Sequence, residues 1–103
     1  MVELRRHQRA PVDVPLQFTP RGSNETRAGR AKDISLGGMY VETEQPLDFG
    51  AELVVQVTLP GHKAAFSLPA VVRWVRAGEG MGVQFGLIGA RETHAITELT
   101  KAP

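Results

Sequence analysis

Two short stretches of this 103-residue chain hold side chains whose types and spacing could bind an anion and read a base. The first is "RRHQR", in which Arg5 and Arg9 are separated by three residues, with Arg6 and His7 among them. A guanidinium fork matches phosphate oxygens and matches the O6/N7 edge of guanine equally well. The second is "DISLGG", Asp33 to Gly38. A carboxylate at Asp33 accepts two parallel N–H bonds, which is what the N1 and N2 edge of guanine offers. On an extended chain the Ser35 hydroxyl points to the same face as Asp33. Gly37 and Gly38 leave bare backbone that a flat base or a phosphate can approach closely. Together the two stretches describe a site for an anionic guanine nucleotide. Singly, each has a plainer reading: an arginine pair as solvated surface, and Asp-x-Ser as a local turn.

Other chemistries find no footing. His7, His62 and His94 lie far apart in the chain, and none has a partner at metal-ligand spacing. No serine sits in a nucleophile elbow, and no carboxylate pair is spaced to orient a general acid and base. The expected role is therefore binding and not catalysis, with no metal or cofactor. The absence of cysteine removes disulfides and thiolate sites and fits a reducing compartment. The opening "MVELRRHQRAPVDVP" is too charged for a signal-peptide core, and no run approaches membrane-spanning length, so a soluble cytoplasmic protein without membrane insertion is expected. Net charge is +1, yet residues 1–32 hold seven basic groups against three acids, while the rest hold five against eight. A nucleic-acid-binding barrel would need a basic groove and exposed aromatic platforms. The near-neutral charge and the phasing of most aromatics into the core argue against that partner.

The elements that must position these residues read as mostly β. "VDVPLQFT" puts Val12, Val14, Leu16 and Phe18 on one face, the period-two signal of a half-buried strand. Thr19 to Gly29 reads as a loop, after which "RAKDIS" begins a second extended segment. "MYVETE" sets Met39 and Val41 opposite Tyr40 and Glu42, and "ELVVQVTL" aligns Leu53, Val55, Val57 and Leu59. "AAFSLPAVVRWVR" groups Phe66, Leu68, Ala70, Val72 and Trp74, which places Trp74 in the core and turns Arg73 and Arg76 away from it, to line a ligand surface or to meet water. Pro69 in that run requires an edge position or a bulge. "MGVQF" aligns Met81, Val83 and Phe85, and "IGARETHAITELTK" carries Ile88, Ala95, Ile96 and Leu99 on one helical face. Six short strands punctuated by turns suggest a small antiparallel barrel or sandwich with a terminal helix packed on it.

An RxxxR before the first strand and a DxSxxG entering the third, within this pattern, resemble the PilZ domain family. "RRHQRAPVDVPL" looks like the family's basic lead-in and first strand, "AKDISLGGMYV" like its second motif, and "VVRWVRAGEGMGVQF" like its closing hairpin. The resemblance covers nearly the whole chain. It implies an all-β fold, a six-stranded antiparallel β-barrel with a C-terminal α-helix, and a receptor for the bacterial second messenger cyclic di-GMP. It divides the chain into an arginine-rich ligand-clamping segment, 1–11, and a barrel with its helix, 12–103. Carried over, Arg5 and Arg9 clamp the ligand, Asp33 and Ser35 read a guanine edge, and Gly38 gives the base room, with Arg6, His7 and Gly37 secondary. Three close arginines should repel one another until a dianionic ligand neutralises them, so ordering of the N-terminal segment would relay binding to an unidentified protein partner. Leu4 offers no further guanidinium ahead of Arg5, which favours one ligand per chain. The alternative is a PilZ-like protein-interaction module with weak or no nucleotide binding.

Overall fold

A computed structural model describes residues 8–101. Alternation produces six strands, β1 Ala10–Pro20, β2 Arg27–Ile34, β3 Gly38–Glu42, β4 Glu52–Val57, β5 Phe66–Arg76 and β6 Gly80–Phe85, followed by helix α1, Ala90–Thr100. All neighbouring pairs are antiparallel. Their order, β1-β2-β3-β6-β5-β4, closes on itself through the β1–β4 ladder. The six-stranded antiparallel barrel with a C-terminal helix expected from the sequence is the fold. Among the described residues, no helix is long and apolar enough to cross a membrane.

Every second residue of the strands enters one core: Leu16 and Phe18, Ile34, Met39 and Val41, Leu53 to Val57, Phe66 to Val72, and Met81 to Phe85. Each such side chain contributes roughly 1.5–3 kcal/mol over remaining exposed. Helix α1 is too short to be stable alone and has no side-chain N-cap at Gly89. It is held by burying Ala95 and Ile96 in the barrel's core, while the Arg91 guanidinium lies 5.8 Å from the Phe66 ring centre.

Two expectations need correction, and one resolves. The loop expected over Thr19 to Gly29 is shorter, because β1 runs through Pro20 and β2 already begins at Arg27. Trp74 is not in the core but 44% exposed. The ladder between β5 and β6 shifts register between Val72 and Trp74, so that Val72 faces Val83 while Trp74 faces Gly82. That bulge adds one residue and reverses the alternation, carrying Trp74 to the outer face. Pro69 is not itself the bulge. Its carbonyl accepts from Gly86 N–H at 2.8 Å, just past the end of β6, so its missing donor falls where the ladder stops.

Candidate functional site

Three irregularities converge on one outer face of the barrel. Besides the β5 bulge, β1 shifts register against β2 between Pro11 and Val14, and β2 shifts against β3 between Ala31 and Asp33. Bulges re-aim side chains, and here they bring Asp33, Tyr40, Gly82 and Trp74 into one lateral row across β2, β3, β6 and β5. The next row, Ile34, Met39, Val83 and Val72, is buried, which fixes the first as outward-facing.

Glycine makes the floor of that row. A Cβ at Gly82 would collide with the Trp74 indole, and one at Gly80 would collide with the Tyr40 hydroxyl end. The two aromatics lean over β6 from either side and stack, ring centres 5.3 Å apart and planes 15° from parallel. The Arg76 guanidinium lies 5.6 Å from the indole centre, a cation–π distance.

The other end of the row is polar. Arg9, one residue ahead of β1, donates from Nη1 to Asp33 Oδ1 at 2.8 Å, and Tyr40 N–H donates to the same oxygen at 3.1 Å. Beside it, Ser35 and Gly38 exchange both backbone bonds, at 2.8 and 3.3 Å, closing a two-residue hairpin between β2 and β3. The buried Ser35 hydroxyl accepts Gly37 N–H at 3.1 Å. In this structure it therefore braces its own hairpin. Gly38 has a structural reason to be glycine, since any Cβ there would run into the Val83 carbonyl of β6.

Together these groups line an open pocket of about 420 Å³ whose walls include Arg9, Asp33, Ser35, Gly37 and Gly38, and also Tyr40, Arg73, Trp74, Arg76 and Gln84. Three guanidiniums face it against one carboxylate, so it favours an anion. Arg73, on the bulge, donates from Nε to Gln84 Oε1 at 2.6 Å. The structure thus brings Arg9, Asp33, Ser35, Gly37 and Gly38 together, as the two motifs suggested. Arg5, Arg6 and His7 lie outside the described residues. Sequence reasoning passed over Tyr40, and it turned Arg73 and Arg76 away from the core, to a ligand surface or to water; the structure sets both at the pocket wall. The signal for this half was Gly80 and Gly82 alternating along β6, which left its outer face bare for aromatics on both neighbouring strands.

A closed six-stranded barrel carrying an outward, arginine-lined pocket across four of its strands defines a small binding domain. The chain matches the PilZ domain over residues 3–102 and belongs to that family. It is 34% identical over 84 residues to the cellulose synthase catalytic subunit (UDP-forming) of Xanthomonas axonopodis pv. citri, a match covering 81% of this chain and 11% of that one. Among solved structures it resembles the PilZ domain of Escherichia coli YcgR with c-di-GMP, at a TM-score of 0.73 and 21% identity over 95% of this chain and 89% of that one. It also resembles the Bacillus subtilis inhibitor of motility MotI/DgrA, at a TM-score of 0.76 and 23% identity over 94% of this chain and 49% of that one. The chain therefore spans about a tenth of the cellulose synthase relative and about half of the motility inhibitor.

Proposed function

We propose that this domain is a cyclic di-GMP receptor, binding the dinucleotide on the outer face of β2, β3, β6 and β5. The observation that carries the reading is the convergence of Arg9 with Asp33 and the Ser35–Gly38 hairpin on one open, cation-rich pocket. Family membership supports it, as does the c-di-GMP in the YcgR PilZ structure. In this reading Arg9, with Arg5, meets phosphate and the Hoogsteen edge of guanine, and Asp33 accepts from guanine N1 and N2. Ser35 and Gly37 shape the lip beside that edge, and Gly38 leaves the backbone open there. Arg6 and His7 add secondary contacts.

Arg9 and Asp33 are paired with one another. The ligand must share or replace that contact, and the pair holds both groups at the site. Signal output then passes to a protein partner through the segment ahead of Arg9, drawn onto the barrel by the neutralising ligand. Isothermal titration with cyclic di-GMP, against GTP and cyclic di-AMP, tests the binding. Saturable uptake selective for the guanine dinucleotide is expected, and no heat with any guanine nucleotide would overturn it. Hydrogen exchange over residues 1–12 tests the relay, which fails if protection there is the same with and without saturating ligand.

A further inference from the structure

The nucleotide pocket has a neighbour on the same outer face. One outward row further along the sheet, Glu42 of β3 lies between Arg30 of β2 and Gly80 of β6, with Arg76 of β5 beyond them. Glu42, Glu44 and Glu79 line a cleft of about 600 Å³ there, with Lys32, Tyr40 and Arg76 also in its walls. Thr43 is buried, while Glu42 and Glu44 on either side of it are exposed. The Thr43 N–H donates to the Glu79 carbonyl at 2.9 Å, which sets Glu79 beside them.

The cations around this cleft are engaged elsewhere. Arg30, the register partner of Glu42, turns to Asp13 at 2.7 Å, and Lys32 meets the same carboxylate at 3.4 Å. The Arg76 guanidinium sits by the Trp74 ring. Among the described residues, none of the three glutamates has a cation within ion-pair distance. Three uncompensated carboxylates beside a pocket that favours an anion oppose the binding they adjoin.

The basic stretch ahead of β1 supplies the complementary charge. On an extended chain Arg5, His7 and Arg9 face one side, and Arg6 faces the other. With Arg5 and Arg9 turned to a ligand, Arg6 therefore points away from it. Reach is sufficient. Asp33, to which Arg9 is paired, lies one strand and two residues from Glu42, about 8 Å at the usual spacings. The three residues from Arg9 back to Arg6 span about 10 Å when extended.

We infer that the segment ahead of Arg9 is a strap that closes over the bound dinucleotide and is fastened by Arg6 in the Glu42–Glu44–Glu79 cleft. Arg5 and Arg9 hold the ligand from the inner side of the strap, and Arg6 answers the carboxylates beside it. The inference rests on the cyclic di-GMP reading and adds to it the place where the ordered segment is held.

The sign of one effect separates the strap from simple electrostatics. Neutralising carboxylates beside an anion site strengthens anion binding by itself, whereas removing the strap's anchor weakens it. The test titrates cyclic di-GMP calorimetrically into the full 103-residue chain. It compares the parent with Arg6→Ala, Arg6→Lys, Glu42→Gln/Glu44→Gln/Glu79→Gln, and that triple variant combined with Arg6→Ala. Arg6→Ala and the triple variant should each bind about threefold more weakly, the scale of an exposed ion pair. The combined variant should bind no more weakly than either, because both changes break one contact. Arg6→Lys keeps the charge and should recover most of the loss. Hydrogen exchange at saturating ligand should show residues 1–8 less protected in the triple variant than in the parent. All three glutamates are exposed, so unchanged melting is expected and separates the result from misfolding. The inference is overturned if the triple variant binds as tightly as the parent or more tightly, or if the two losses multiply in the combined variant. A parent that takes up no cyclic di-GMP overturns the underlying reading instead.

Discussion

The barrel presents two outer faces built on opposite rules. On the side of β1, with β2 and β4, charge is answered by charge. Asp13 lies 2.7 Å from Arg30 Nε and 3.4 Å from Lys32 Nζ, Arg21 pairs with Glu52, and the Thr19 and Thr26 hydroxyls meet at 3.2 Å. Across the barrel, β3 and β6 with the bulged part of β5 carry glycines, a stacked aromatic pair and two arginines without carboxylate partners among the described residues. The ladders do not divide in the same way, since β1–β2 is bulged as well as β2–β3 and β5–β6, while β1–β4, β4–β5 and β3–β6 run in unbroken register. A surface whose groups satisfy one another is finished. One whose two guanidiniums meet only a neutral amide and a ring among the described residues keeps its positive charge uncompensated and favours an anion.

The sharpest way to break the contrast is to wedge the two strands apart where the second face begins. Gly38→Ala pushes a methyl into the β6 backbone and should destabilise the domain by about 3 kcal/mol, at the upper end of overpacking, read as a lowered denaturant midpoint. Arg9→Ala leaves the fold in place and should weaken cyclic di-GMP binding about a hundredfold, the scale of losing a bidentate charge-assisted contact. Parent-like affinity in that variant would mean the site is misassigned. Gly82→Ala lifts the indole from its seat and should weaken binding about tenfold, with a shift in tryptophan emission before any ligand is added. Asp13→Asn, on the paired face, should leave binding unchanged. A hydrogen bond from Arg30 holds the Asp13 carboxyl below its ordinary value of 3.8, against a smaller desolvation effect, and Lys32 adds to the lowering. A depressed folded pKa contributes stability that is present above the ordinary value and lost as pH falls through the folded one. The variant should therefore lose that small contribution at neutral pH and converge on the parent in acid, flattening the limb of the stability profile below about pH 4.

The two halves of the pocket were unequally legible in the sequence. Arg9, Asp33, Ser35, Gly37 and Gly38 are close together within two motifs, and each has a chemistry that spacing alone exposes. The strands were legible because Leu16, Phe18, Leu53, Val55 and Val57 keep strict alternation, and α1 because Ala95 and Ile96 share a helical face. Trp74 was misplaced for a definite reason. Period-two reasoning propagates phase along a strand, and a bulge inserts one residue that only the partner strand reveals. Arg73 and Arg76 were legible as outward, and only the partner strands show that they share a pocket with Arg9 and Asp33. Gly38 was legible as special but for a different purpose, since its closeness to Val83 is a contact between segments far apart in the chain.

That ladder has a kinetic meaning. Gly38 pairs with Gln84 and Glu42 with Gly80, so the strands under the pocket's centre are joined only after most of the chain has been made. Pairings of such sequence separation form late and slowly, because loop closure must precede any gain from the contact. During synthesis the DxSxxG hairpin can form locally, but its floor waits for β6 to emerge. No piece lacking β6 then holds a complete pocket. The dinucleotide would act on the finished barrel alone, slowing its unfolding without guiding its assembly.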